Sequence, residues 1–543
     1  MYFIMKKTYI YSIVLMAFVF FTTSCEDKLE EELFNSYGSS NFPTNETAEI
    51  LLAEAYADYA RAYNNHRMGW AIEMPTPAMQ YRSRRSLQLV RHNLSTWTWS
   101  TQFADPAYFE MLTTIFFGVR TANDAIGLIS TLETDNIERR DAMVAEAKVL
   151  RALAYFNMVR LWGGMPIIDK AQTLDDDLFP ARASIPETYA FIVQGLQEAI
   201  PDLPTRSGYM AQGIPAGHIT KGVAQGILAK VYLTMAGDPL GDASNLQEAR
   251  NLLEAIINSG EWGLVQSATP YKDLWDWQNE FNNERMFDIQ KESQGRTTGQ
   301  NLRMIFGYMT PPLVSEDIWA SGANPNSRGA GLDGIPPEYA KWYESHDSGP
   351  RYQWTIVTEF IAQSNFGKFR AGDLYHMEDG RDGQAHIGKY RALGAELEDR
   401  FYCPNNFPVL RYADILLMHS EVTNELGAAD YTGINATRER AGLPALSGLS
   451  QDDFRDAVFL ERELELAYEQ NLLFDMRRRG FAYCQSRLNG FFQPNQNETS
   501  PGAGDGYQVD YSITNLTEPH RMLYPYPPRE LASNPNLEQN PGY

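Results

Sequence analysis

The chain has 543 residues, with 46 Lys and Arg against 69 Asp and Glu, a formal net charge of -23 and a pI near 4.8. That acidic balance excludes nucleic acid as a partner, because a phosphate backbone demands clustered cations and counterion release. The length is ample for a large buried core, and an aromatic content of 12% with ten Trp supplies rings either for that core or for a surface on which sugars stack.

In chain order, Lys6 and Lys7 precede an apolar run from Tyr9 to Phe21, which ends at Ser24-Cys25. A positive start, a short apolar stretch and small residues before the cut predict a removable signal peptide over 1–24, too short to serve as a membrane anchor. Thr22 stands where many lipoprotein signals carry Leu, so the segment resembles the looser Thr-Ser-Cys form of Bacteroidetes lipoproteins, with Cys25 as the lipidated first residue. The acidic run Glu26 to Glu32 then reads as part of a charged tether, 25–45, suited to display on the cell exterior.

Residues 46–543 are expected to form one body. Apolar residues at helical spacing predict helices over Glu46–Tyr63, Tyr108–Leu132 and Ile137–Trp162, the last stopped by Gly163-Gly164. Further helices are predicted over Thr188–Ile200, Ala216–Ala236, Asn245–Asn258, Leu410–Leu426 and Asp452–Arg477. The expected fold class is mainly α: helices paired as in tetratricopeptide repeats, with no strict 34-residue consensus, occupying about 46–259 and 408–480. Between about 260 and 407 the pattern gives way to Gly, Pro, Trp, Tyr and Asn, predicting loops and few short strands, among them Tyr352–Ile361. Irregularity returns from Phe491 to the end, within a C-terminal tail of 481–543. Long irregular stretches in a compact body are commonly binding loops.

Several strings together resemble the SusD/RagB family. They are Ala145 to Asp169, with Leu150-Arg151-Ala152 and Tyr155 and a turn at Gly164 to Pro166; His218-Ile219-Thr220-Lys221 with Ala229 to Leu233; Leu410 to Met418; Glu461 to Glu465 with Asp475 to Gly480; and the ending Asn534 to Tyr543. The resemblance implies a tetratricopeptide-like scaffold under an irregular ligand-binding region, attached by lipid to the outer membrane. It further implies capture of a nutrient, a glycan or in some lineages a peptide, for a SusC-like TonB-dependent transporter, without enzymatic activity.

A glycan binder needs exposed aromatic planes beside hydroxyl-bonding groups. Candidates after the first helix are Trp70, Tyr81, Trp97 and Trp99; an extended Trp97-Thr98-Trp99 would place both rings on one side, although the same rings could instead cap the helical core. The irregular region adds Tyr308, Trp319 and Trp342. Arg82 and Arg84, within Arg82 to Arg85, could grip an anionic polysaccharide or a peptide carboxylate through guanidinium forks, or simply pair with the protein's own carboxylates. Glu461 and Glu465 share a helix face, and a structural ion network with nearby arginines is expected there in place of catalysis. No HExxH, EF-hand, phosphate-loop or nucleophile-elbow pattern occurs, so neither a metal, a cofactor nor a catalytic residue is expected. Cys403 and Cys484 could pair or stand as separate thiols. The rival reading is a glycoside hydrolase with two carboxylates across a cleft.

Overall fold

The computed structural model describes residues 45–64, 66–81, 89–101, 105–291, 333–361, 374–377, 385–390, 405–491 and 516–543. Backbone contacts divide the chain into Met1–Thr47 and Ala48–Tyr543; of the first unit only the opening residues of a helix are described, so Cys25 lies outside the described residues. No helix among the described residues is long and apolar enough to cross a membrane.

Helix α1 spans Asn45–Asn64 and α2 His66–Glu73; after the short strand β1 (Gln80–Tyr81) come α3 (Leu89–Thr96), α4 (Asp105–Ser130) and α5 (Ile137–Trp162). The limits of α5 are set locally. The Asn136 side chain accepts from the Arg139 amide at its start, and Gly163, at φ +84°, ends it. Helices α4 and α5 pack along their length, and α5 packs in turn on α6 (Ile185–Ala199). Ser184 and Glu187 form a capping box at the start of α6. At the turn between α5 and α6, a Cβ on Gly164 would lie 2.0 Å from the Ala183 carbonyl oxygen, so only glycine fits there.

The chain continues through α7 (Arg206–Ala211), α8 (Lys221–Met235), α9 (Leu246–Ser259), α10 (Pro270–Leu274), β2 (Arg285–Ile289), β3 (Asp333–Gly334), α11 (Pro337–His346) and α12 (Pro350–Thr355). Short strands β4 (Ile356–Val357), β5 (Glu359–Ile361), β6 (Leu374–His376), β7 (His386–Ile387) and β8 (Phe407–Arg411) lead into α13 (Tyr412–Glu425), α14 (Thr432–Arg440), α15 (Gln451–Glu465), α16 (Leu472–Arg478), α17 (Phe481–Phe491) and α18 (Pro528–Ser533). Helices α8 and α9 form a pair, α9 packs on α13, and α13 on α14 and α15. The result is a mainly helical scaffold of stacked pairs with, among the described residues, four two-stranded ladders.

Four expectations change. The helix expected from Ala216 begins only at Lys221, where the Thr220 side chain accepts from the Val223 amide and caps it. The helix expected from Leu410 begins only at Tyr412, because Phe407–Arg411 pairs antiparallel with β2 and is buried there. The helix expected over Asp452–Arg477 is two helices, α15 and α16, interrupted at Leu466–Asn471, where Tyr468 and Gln470 adopt φ of +62° and +59°. The strand expected over Tyr352–Ile361 opens as the end of α12 and only then becomes β4 and β5. Cys484 is a buried free thiol, and burial pushes its pKa up to about 12.

Candidate functional site

The small ladders gather in one part of the molecule the segments that the sequence marks for binding. Strand β1 pairs antiparallel with β3, setting Gln80 against Gly334 and Tyr81 against Asp333. Ile335 then bridges to Ala385, β4 pairs with β7, β5 with β6, and the Met377 amide donates to the Thr358 carbonyl at 2.8 Å. Segments 82–88, 292–332, 362–373, 378–384 and 391–404 are thus flanked by described residues of this rim. Two stretches more than two hundred residues apart, one carrying Arg82 and Arg84 and the other Tyr308 and Trp319, are tied together at the β1–β3 pair.

What holds the rim is the break between α15 and α16 and the end of α15. Tyr339 donates to Glu463 Oε1 at 3.1 Å and Tyr343 to the Leu464 carbonyl at 2.7 Å. Arg351 reaches Asp347 and Glu461, each at 2.5 Å, and Glu465 at 3.1 Å. Lys389 Nζ donates at 2.7 Å to both the Glu465 carbonyl and Glu469 Oε1, and Tyr390 Oη donates to the Tyr468 carbonyl at 3.0 Å. On the other side, Tyr468 Oη donates to the Ala78 carbonyl at 3.2 Å and the Gln470 amide to Glu73 Oε1 at 2.8 Å, so the residues leading into β1 hang from the same break. Left-handed backbone at Tyr468 and Gln470 is costly for residues with a Cβ, and it persists because these bonds fix it from several directions.

The charges beneath the rim neutralise one another. Arg411 joins Glu469 at 2.7 Å and Glu465 at 3.1 Å, Arg440 joins Glu465 at 2.7 Å, and both arginines reach Glu284. Burial pushes the Glu465 carboxyl up, but Arg440, Arg411, Arg351 and Lys389 outweigh it and hold its pKa well below the usual range. Glu461 and Glu465 are accordingly members of a buried ion network. Burial drives the Lys389 pKa down against the pull of Glu469, and burial raises that of Glu73 to about 7.

The candidate rings divide. Trp70, Trp97 and Trp99 are core residues, 7%, 0% and 1% exposed, and present no stacking plane to solvent. The Trp97 and Trp99 rings do lie together, centroids 4.7 Å apart. Trp97 Nε1 donates to the Pro75 carbonyl at 2.9 Å and Trp99 Nε1 to Tyr543 Oη at 2.7 Å. Their cover is the tail: Tyr524 packs edge-on against Trp99, and Arg521 donates to the Trp97 carbonyl at 2.7 Å. Sequence reasoning took this tail for loop, although its aromatic residues were a signal that it packs. Tyr81 lies in β1, while Arg82, Arg84, Tyr308 and Trp319 lie outside the described residues. Trp342 is half-buried on α11, with the Arg487 guanidinium 4.2 Å from its ring centroid and Phe491 edge-on at 5.5 Å. Segment 492–515 follows Phe491 directly, which sets Trp342 beside another departure point. Among the described residues no group of His, Cys, Asp or Glu could hold a metal ion.

Stacked helix pairs carrying a rim from which long segments depart define a helical-repeat scaffold protein. The profile of the SusD family matches residues 291–543, and one described as starch-binding associating with outer membrane matches residues 38–233. The chain belongs to the SusD/RagB family. It is similar to a SusD-like protein of Formosa agariphila, 24% identical over 558 residues and covering 96% of each chain. Among solved structures, a SusD homologue from Bacteroides thetaiotaomicron superposes with a TM-score of 0.75 at 22% identity, covering 92% of this chain and 97% of that one. A laminarin-binding SusD-like protein gives 0.67 at 22%, covering 92% and 100%. Surface glycan-binding protein A from Bacteroides uniformis gives 0.69 at 18%, covering 92% and 99%.

Proposed function

We propose that this protein binds a glycan, without turning it over, on the segments carried by the β1–β3 rim, and delivers it to a SusC-like TonB-dependent transporter. It does so held to the outer membrane by a lipid on Cys25, facing the cell exterior. The observation that carries the reading is the β1–β3 ladder, which the segment with Arg82 and Arg84 leaves in sequence and the segment with Tyr308 and Trp319 enters. The names of the laminarin-binding and surface glycan-binding neighbours support the ligand class.

Affinity electrophoresis in gels containing neutral or anionic polysaccharides tests it. Retardation by a neutral glycan that is lost in Trp319→Ala or Trp342→Ala supports ring stacking. Retardation by anionic glycans alone, weakened by salt and by Arg82→Ala with Arg84→Ala, assigns recognition to the guanidinium groups. Release of reducing ends from a bound glycan would refute the non-catalytic reading.

A further inference from the structure

Away from the rim ladders, a cavity of about 400 Å³ opens among α7, the 213–220 connection and residues 262–290, with no lining residue from β1 or β3–β7. That volume lies in the range of small-molecule sites. Its mouth carries two apolar side chains that the fold leaves uncovered, Phe281 at 53% and Met210 at 67% exposure. Phe281 is held in place from behind: Arg206 donates to the Phe281 carbonyl at 3.3 Å and to Asn283 Oδ1 at 2.9 Å, and stacks 4.7 Å from the Trp262 ring centroid. Arg206 is itself fixed by α7, whose first amides are bound by Glu261.

The polar lining is equally ordered, and part of its hydrogen-bonding capacity is unused. His218 Nδ1 lies 2.8 Å from Glu146 Oε2. Glu146 is fully buried, and it also accepts from Tyr209 at 2.7 Å and Arg139 at 3.0 Å. Burial opposes its charge, but these partners hold its pKa below the usual range, so the ionised carboxylate fixes a proton on Nδ1 and orients the ring with Nε2 left for another partner. His218 Nε2 has no hydrogen bond among the described residues, and its side chain is 21% exposed. Across the lining, Glu280 receives the Asn406 amide on Oε1, and Oε2 has no partner among the described residues. Burial raises the Glu280 pKa to about 8, against the influence of Arg285, so at neutral pH the carboxyl is a neutral group that can donate. An uncovered flat ring, one imidazole nitrogen left for a hydroxyl and one neutral donor match the C–H face and hydroxyls of a polyol ring.

We propose that this cavity is a second binding pocket, separate from the rim, that takes a single neutral hydroxylated ring: a terminal sugar unit or a cyclic polyol stacked on Phe281, with hydroxyls on His218 Nε2 and Glu280.

Saturation-transfer NMR on the full chain in detergent, at about pH 6.5 so that Glu280 keeps its proton, tests this with glucose, galactose, mannose and myo-inositol as probes. At least one probe receives saturation from the wild-type protein. Ala216→Trp, which fills the cavity from an exposed lining position, abolishes the transfer, and Phe281→Ala weakens binding about fivefold or more. Ala216 and Phe281 line this cavity, which no residue of β1 or β3–β7 lines, so loss of transfer in these variants separates this pocket from the rim. Absence of transfer to all four probes, or transfer that survives both Ala216→Trp and Phe281→Ala, overturns the proposal.

Discussion

Replacing Trp97 separates a core role from a ligand-stacking role. The side chain is 0% exposed, and full burial of a Trp removes roughly 200 Å² from water, worth about 5 kcal/mol at about 25 cal/mol/Å². Alanine recovers part of that area by collapse but loses the Nε1 bond to Pro75, worth about 1 kcal/mol. The expected cost of Trp97→Ala is therefore about 3–5 kcal/mol. Trp97 also sits at φ +58°, where a Cβ is unfavourable by about 1 kcal/mol, so Trp97→Gly should be no less stable than Trp97→Ala despite its freer unfolded chain. Guanidinium denaturation gives the stabilities, and affinity electrophoresis of the folded fraction gives binding. Trp97→Ala should lower the midpoint strongly while the molecules that remain folded still bind glycan. A variant that loses glycan retention with an unshifted midpoint would refute the reasoning and return the ring to the ligand surface.

Arg351→Ala strips the counter-charge from Asp347 and Glu461 in a site that is 0% exposed, and should cost about 3–5 kcal/mol in denaturant titrations, with Arg351→Lys intermediate. Glu73, with its pKa raised from 4.5 to about 7, binds a proton in the folded state over a pH range where the unfolded chain has released it. Its contribution to stability is therefore fully present below pH 4.5 and is lost as pH rises to 7, by about 3 kcal/mol in total. Glu73→Gln keeps the acceptor for the Gln470 amide, and its stability should fall less than that of the wild type between pH 4.5 and 7; an unchanged slope would remove Glu73 as the cause. Gly164→Ala drives a Cβ against the Ala183 carbonyl and should destabilise by several kcal/mol, of the order of 3, read as a lowered melting temperature.

Legibility in the sequence followed how local the determinants were. The limits of α5 were readable because Asn136 and Gly163 set them from adjacent residues. The break at Leu466–Asn471 was not, because no Gly or Pro marks it; distant partners such as Lys389, Tyr390 and Glu73 fix the backbone there. The Trp97 and Trp99 rings lie side by side, but through a left-handed backbone at Trp97 and not through an extended alternation, and the tail that buries them lies more than four hundred positions away. For the candidate site, the sequence pointed to two chain regions; that the β1–β3 pair joins residues next to both was not legible, since a ladder this short leaves no periodic trace.

The packing of residues 516–543 over Trp97 and Trp99 bears on how the protein is made. A nascent chain that has emerged only as far as α17 carries Trp97, Trp99 and Trp162 without their cover, and that part of the core stays open. Closure of that part of the fold is then delayed until the last stretch of polypeptide arrives. Under the export that the proposed function requires, that delay keeps the polypeptide fit for translocation and favours assembly of the scaffold on the far side of the membrane.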